Sequence, residues 1–104
     1  MIIAEQTPQN LRILVADDDP QISNLFREVL LSKKSSTSSP FDLVTCRQGD
    51  HAVAAVKHSI EENRPFSVAF VDIRMPPGRD GIWTAEQIRR LDENVEIIIH
   101  LVYN

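Results

Sequence analysis

The chain has 104 residues, 42% hydrophobic and 25% charged, with a formal net charge of −4, which suits one domain and leaves too little for two. It carries no basic run to neutralise phosphates, which argues against direct nucleic-acid binding, and its single cysteine, Cys46, excludes an intrachain disulfide and fits a reducing compartment. No apolar stretch approaches the ~20 residues of a membrane span, and residues 1–10 lack a basic segment followed by a long apolar one, so the expected location is the cytosol.

Residues 1–10 contain Pro8 and read as a loose arm, leaving 11–104 as the domain. Leu11 to Ala16 is a short, nearly continuous apolar run, which suits a strand covered on both faces. It stops at Asp17-Asp18-Asp19-Pro20, where Asp19 can cap a helix and Pro20 fits the first helical position. Ile22, Leu25, Phe26, Val29 and Leu30 then follow helical spacing. Ser32 to Pro40 is serine-rich and reads as a flexible loop inside the domain.

Phe41 to Cys46 reads as a second strand, with Gly49 at the turn after it. Asp50 is the expected cap of a helix carrying Ala52, Val53, Val56 and Ile60, and Arg64-Pro65 ends that segment. Phe66 to Val71 is a third strand ending at Asp72. The prolines and glycines of Met75 to Gly81 require a loop. Ile82, Ala85, Ile88 and Leu91 mark a third helix, and Val95 to Val102 a fourth strand. Alternation of this kind implies an α/β fold with a parallel sheet and helices on its faces.

Ligands of open parallel sheets bind beyond the carboxyl ends of the strands. If the first and third strands are neighbours, Asp17, Asp18 and Asp72 meet there. Carboxylates that close repel one another, and Mg²⁺, which prefers oxygen ligands, would relieve the repulsion. A carboxylate beside Mg²⁺ can also act as a nucleophile toward phosphorus. Taken alone, Asp-Asp-Asp-Pro could equally be a helix cap and a solvated turn. The conjunction of two acidic sites at the ends of two apolar strands favours the metal reading. His100 lies near this edge but reads first as a polar edge-strand residue. Cys46 reads as a small strand residue and not a nucleophile.

Arg12-Ile13-Leu14-Val15-Ala16-Asp17-Asp18-Asp19-Pro20 and Val71-Asp72-Ile73-Arg74-Met75-Pro76 resemble the receiver domain of two-component response regulators. The resemblance runs from about Leu11 to Asn104. It implies a doubly wound, flavodoxin-like sheet in the order 2-1-3-4, with the family's fifth strand and last helices missing. It implies that Asp72 is the phosphoacceptor, that Asp18 binds Mg²⁺ directly, and that Asp17 assists. It implies that Arg74 offers a backbone carbonyl to the metal, and that Gly81 is the small residue opening the helix after the loop. The implied partner is a sensor histidine kinase or a phosphotransfer protein. Leu101 stands where the family has Ser or Thr, and no lysine matches the family's fifth-strand lysine. The alternatives are therefore a pseudo-receiver acting as a non-phosphorylated interaction module, a fragment of a longer regulator, or an unrelated small metal-dependent hydrolase. The apolar fourth strand, with Ile97, Ile98 and Ile99, is an expected bare edge and a candidate for self-association.

Overall fold

The computed structural model describes residues 11–31 and 40–101. The arm expected at residues 1–10 and the bulk of the serine-rich loop lie outside the described residues, as does Tyr103. The elements run β1 (Leu11–Ala16), α1 (Pro20–Leu30), β2 (Phe41–Cys46), α2 (Gly49–Glu61), β3 (Val68–Asp72), α3 (Gly81–Leu91) and β4 (Glu96–His100). The four strands form one parallel sheet in the order β2-β1-β3-β4. Fold class and strand order are those expected from the sequence. No helix among the described residues is long and apolar enough to cross a membrane.

Strand parity decides which helix covers which face. Leu14 and Ala16 of β1 and Ala69 and Val71 of β3 share one buried cluster with Ala52 and Val56 of α2 and Ile88 of α3. Leu14, Val56, Val71 and Ile88 are at most 1% exposed, and full burial of such side chains contributes about 1.5–3 kcal/mol each. The opposite face carries Val15 and Phe70, which are register partners. Here Phe26 of α1 meets Phe70, ring centroids 4.8 Å apart and tilted by 50°, a favourable aromatic geometry.

Helix starts follow local chemistry, with one correction. Asp19 caps α1, its carboxylate accepting the Gln21 N–H at 2.9 Å, with Pro20 next. Asp80 caps α3 by accepting the Trp83 N–H at 2.8 Å. Asp50, expected to cap α2, does not: Gln48 holds that position and Asp50 sits in the first turn. The side chain of Gln48 is engaged elsewhere, holding the loop after β3, so the helix begins without a side-chain cap.

The helical stripes also differ from the expected ones. Leu25 (55% exposed) and Val29 (68%) of α1 lie outward, as do Ile60, Ile82 and Leu91, whereas Ser23, Ser59 and Thr84 are buried. Periodicity locates an apolar stripe but cannot say how wide the surface that covers it is. Ser59 and Thr84 tolerate burial because their hydroxyls donate to helix carbonyls, Val56 at 2.7 Å and Asp80 at 2.8 Å.

Gly81 opens α3 under the end of β3, and its N–H donates to the Ile73 carbonyl at 2.8 Å. A Cβ at this position would lie 2.8 Å from both the Asp72 carbonyl carbon and the Ile73 Cα. That is backbone, which cannot swing aside. Gly81→Ala should therefore cost about 1–3 kcal/mol, the usual penalty of overpacking. Urea unfolding should show a lower midpoint at unchanged slope; an unaltered midpoint would mean that α3 and β3 separate freely.

Candidate functional site

The three consecutive aspartates after β1 do three different things. The Asp17 backbone N–H donates to the Cys46 carbonyl at 2.9 Å, which extends the sheet by one step and turns the Asp17 side chain into the protein. Asp17 is 1% exposed. Its Oδ1 accepts the Asp19 N–H at 2.9 Å, while its Oδ2 has no hydrogen-bond partner among the described residues. Asp18 is half-buried at the rim, and the Arg47 guanidinium donates to its carbonyl at 3.4 Å. Asp19 is exposed and spends its carboxylate on the helix cap.

Asp72 ends β3 and is 6% exposed. Its Oδ1 accepts the Arg74 N–H at 3.3 Å, so the chain curls around the carboxylate immediately after the strand. Asp17, Asp18, Asp19, Ile22, Asp72, Arg74 and Pro76 line one cleft of about 240 Å³. The sequence-expected residues Asp17, Asp18, Asp72 and Arg74 thus share a single cavity. Gly81 lies beneath it, against the Asp72 backbone. Leu101, expected at the site's Ser or Thr position, follows β4, is 40% exposed and does not line this cleft; the β4 residue in register with Asp72 is His100.

Two residues gain importance that sequence reasoning did not give them. Gln48 donates through Nε2 to the Pro76 carbonyl at 3.1 Å and accepts the Gly78 N–H through Oε1 at 3.0 Å. Both ends of its amide therefore hold the loop that forms one wall of the cleft. No motif marks such a residue, because its partners are backbone atoms about thirty positions away. The second is His100. In the β3–β4 ladder it is the register partner of Asp72, and the Ile73 N–H donates to its carbonyl at 3.0 Å. Its Nε2 lies 3.8 Å from Asp17 Oδ2, a charge contact too long for a hydrogen bond.

Burial pushes the Asp17 carboxyl above its usual range. Repulsion from Asp72, and less so from Asp18, adds to this, while the Asp19 N–H and His100 offset part of it. Cys46 is buried and its thiol is pushed up to about 11, which leaves it protonated and unreactive at neutral pH.

The carboxylates fit a hard divalent cation. Mg²⁺ takes oxygen ligands and keeps several waters, so a few carboxylates around an open cleft suit it. The buried Asp17 Oδ2 is an oxygen to which none of the described residues brings a proton donor.

A family model described as the response regulator receiver domain matches residues 13–103. The two-component response regulator ARR14 of Arabidopsis thaliana is 28% identical over 99 residues, covering 95% of this chain and 23% of that protein. Among solved structures, a CheY-like receiver domain protein from Methanospirillum hungatei JF-1 aligns with a TM-score of 0.73 at 21% identity, over 92% of this chain and 67% of that one. The CheX-CheY-BeF₃-Mg²⁺ complex from Borrelia burgdorferi aligns with a TM-score of 0.74 at 22% identity, over 91% of this chain and 64% of that one. The chain thus spans under a quarter of the curated relative's length and about two thirds of the solved domains.

The buried Asp17 carboxylate makes stability depend on pH. Because its pKa is raised on folding, the native state holds more protons than the unfolded chain between the usual 3.8 and the raised value. Stability therefore falls as pH rises through that window, and the cost is fully present above it. Asp17→Asn keeps an oxygen for the Asp19 N–H and removes the charge. In metal-free buffer at pH 7 the variant should unfold at higher urea than the parent, and the advantage should shrink as the pH is lowered toward 3.8. A variant that is less stable at pH 7 would contradict this account.

Proposed function

The chain belongs to the response regulator receiver domain family, and from that premise we propose that Asp72 accepts a phosphoryl group with Mg²⁺ held beside it. The observation that carries the proposal is the convergence of Asp17, Asp18 and Asp72 on one cleft at the carboxyl edge of the sheet. In this reading Asp17, Asp18, Asp72 and the backbone carbonyl of Arg74 hold the metal. Bound Mg²⁺ would supply charge neutralisation of the phosphoryl oxygens.

The remaining chemistry belongs to the chain. A carboxylate oxygen of Asp72 forms the new O–P bond as the N–P bond of a phosphohistidine donor breaks, and the departing imidazole takes up a proton. The Arg74 N–H holds the Asp72 carboxylate in place, and Gln48 holds the loop behind it. The donor is a sensor histidine kinase or phosphotransfer protein. The domain is regulatory and not an enzyme in the ordinary sense. It works in the cytoplasm with protein partners, and its net charge of −4 makes nucleic acid an unsuitable direct ligand.

A second reading is favoured by the end of β4. The register partner of Asp72 there is His100, and neither it nor Leu101 offers a hydroxyl to a phosphoryl group, so the domain would serve as an interaction module whose partner is indifferent to Asp72. Under either reading β4 supports self-association. It is a sheet edge in the order β2-β1-β3-β4, with Ile98 45% and Ile99 40% exposed, and exposed apolar edges pair with other chains.

Incubation with Mg²⁺ and acetyl phosphate should add one phosphate by mass, and Asp72→Asn or chelation should abolish the gain. Absence of any gain, with partner binding unchanged in Asp72→Asn, would replace the first reading by the second. Sedimentation should show association that grows with concentration; a monomer at every concentration would remove the edge-pairing proposal.

A further inference from the structure

The register of the sheet does more than gather acids. Ala16 pairs with Val71 and Asp72 with His100, so one step past β1 the side chains of Asp17, Asp72 and His100 form a single row across three strands. All three share the strand parity of Val15, Phe70 and Ile98, and thus the same face. Their donor atoms lie within 4.8 Å of one another. Two of those atoms, Asp17 Oδ2 and His100 Nε2, are buried and have no hydrogen-bond partner among the described residues, and Asp17 is 1% exposed. A buried carboxylate oxygen and a buried ring nitrogen that face each other at 3.8 Å without bonding leave room for an atom that binds both.

We propose that Asp17, Asp72 and His100 form a binding site for a divalent transition-metal ion of the zinc type, on the β4 side of the acidic cleft. Zn²⁺ bonds of about 2.0–2.2 Å put ligand atoms on one ion up to roughly 4.2 Å apart, so small side-chain rotations close this set. Imidazole suits Zn²⁺, Cu²⁺ and Co²⁺, whereas carboxylates, carbonyls and water suit Mg²⁺. His100 does not line the cleft that Asp18 and Arg74 line. The described residues thus offer two donor sets: oxygens only toward the cleft, and two oxygens plus a nitrogen toward β4. They share Asp17 and Asp72, so occupation of one excludes the other, and a zinc-type ion would displace Mg²⁺. The inference rests on the assignment of Asp17 and Asp72 as metal carboxylates in the phosphoacceptor reading, but not on phosphorylation itself.

The test is equilibrium binding to the metal-free chain, with no phosphodonor present. Zn²⁺ and Mg²⁺ are titrated calorimetrically, separately and in competition, against the parent, His100→Ala and the double variant H51A/H58A. His100→Ala should weaken Zn²⁺ binding by about tenfold or more, the scale on which metal-site groups act, and leave Mg²⁺ binding nearly unchanged. H51A/H58A should bind both ions as the parent does. In that double variant His100 is the sole histidine, since the chain has three. Pulsed EPR of bound Cu²⁺ should then show imidazole nitrogen without any change at His100. Equal Zn²⁺ affinity in the parent and His100→Ala would overturn the proposal. So would loss of Zn²⁺ binding in H51A/H58A, or Cu²⁺ bound without imidazole nitrogen. Zn²⁺ binding through His100 in a chain that takes no phosphate under Mg²⁺ would uphold this site while removing the phosphoacceptor reading.

Discussion

The alignment of strand ends is the constraint on which the rest depends. β1, β3 and β4 run parallel and in register; β3 and β4 stop at the same level and β1 one step short of it. Each contributes a polar side chain where its apolar run ends. Like charges would not choose this arrangement. It is imposed by the hydrophobic parity of the strands, because sliding β1 or β3 by one residue would move every core side chain to the wrong face. The core under α2 and α3 therefore holds Asp17 buried and close to Asp72, and the raised pKa of Asp17 reflects its burial first and the repulsion from Asp72 second.

Loop residues convert this edge into a site. Gly81 lets α3 start directly beneath the Asp72 backbone, which places the Asp80 cap and the α3 N-terminus close to the end of β3. Gln48 gives up capping α2 to hold the Pro76 and Gly78 backbone. Gln48 thereby ties the β2–α2 turn to the β3–α3 loop, whose Arg74 and Pro76 line the cleft.

The two faces of the sheet are unequally covered. α2 and α3 close one side over Leu14, Ala69 and Val71. α1 covers the other, and its outward residues Leu25 and Val29 remain exposed together with Ile98 of β4. Apolar area in contact with water contributes nothing to stability. The described structure therefore leaves apolar side chains exposed on α1 and β4, and Ile98 shares its face of β4 with His100.

Much of this was legible in the chain itself. Apolar runs of five or six residues, each followed by a helical pattern, dictate alternating strands and helices. Asp19-Pro20 signals its helix start through local hydrogen bonding, and Asp72 at the end of an apolar run identifies the acidic edge. These are local properties, decided by neighbours a few residues apart. The stripes of α1 and α3 were legible as helices but not as buried faces, because burial depends on what lies opposite. Asp50 looked like a cap because residue type is local, whereas the freedom of Gln48 is decided by Pro76 and Gly78 across the cleft. His100 shows the limit most clearly. Its position as a register partner of Asp72, 3.8 Å from Asp17, exists only once three strands have paired, since pairing between distant segments leaves no trace in the spacing of any one of them.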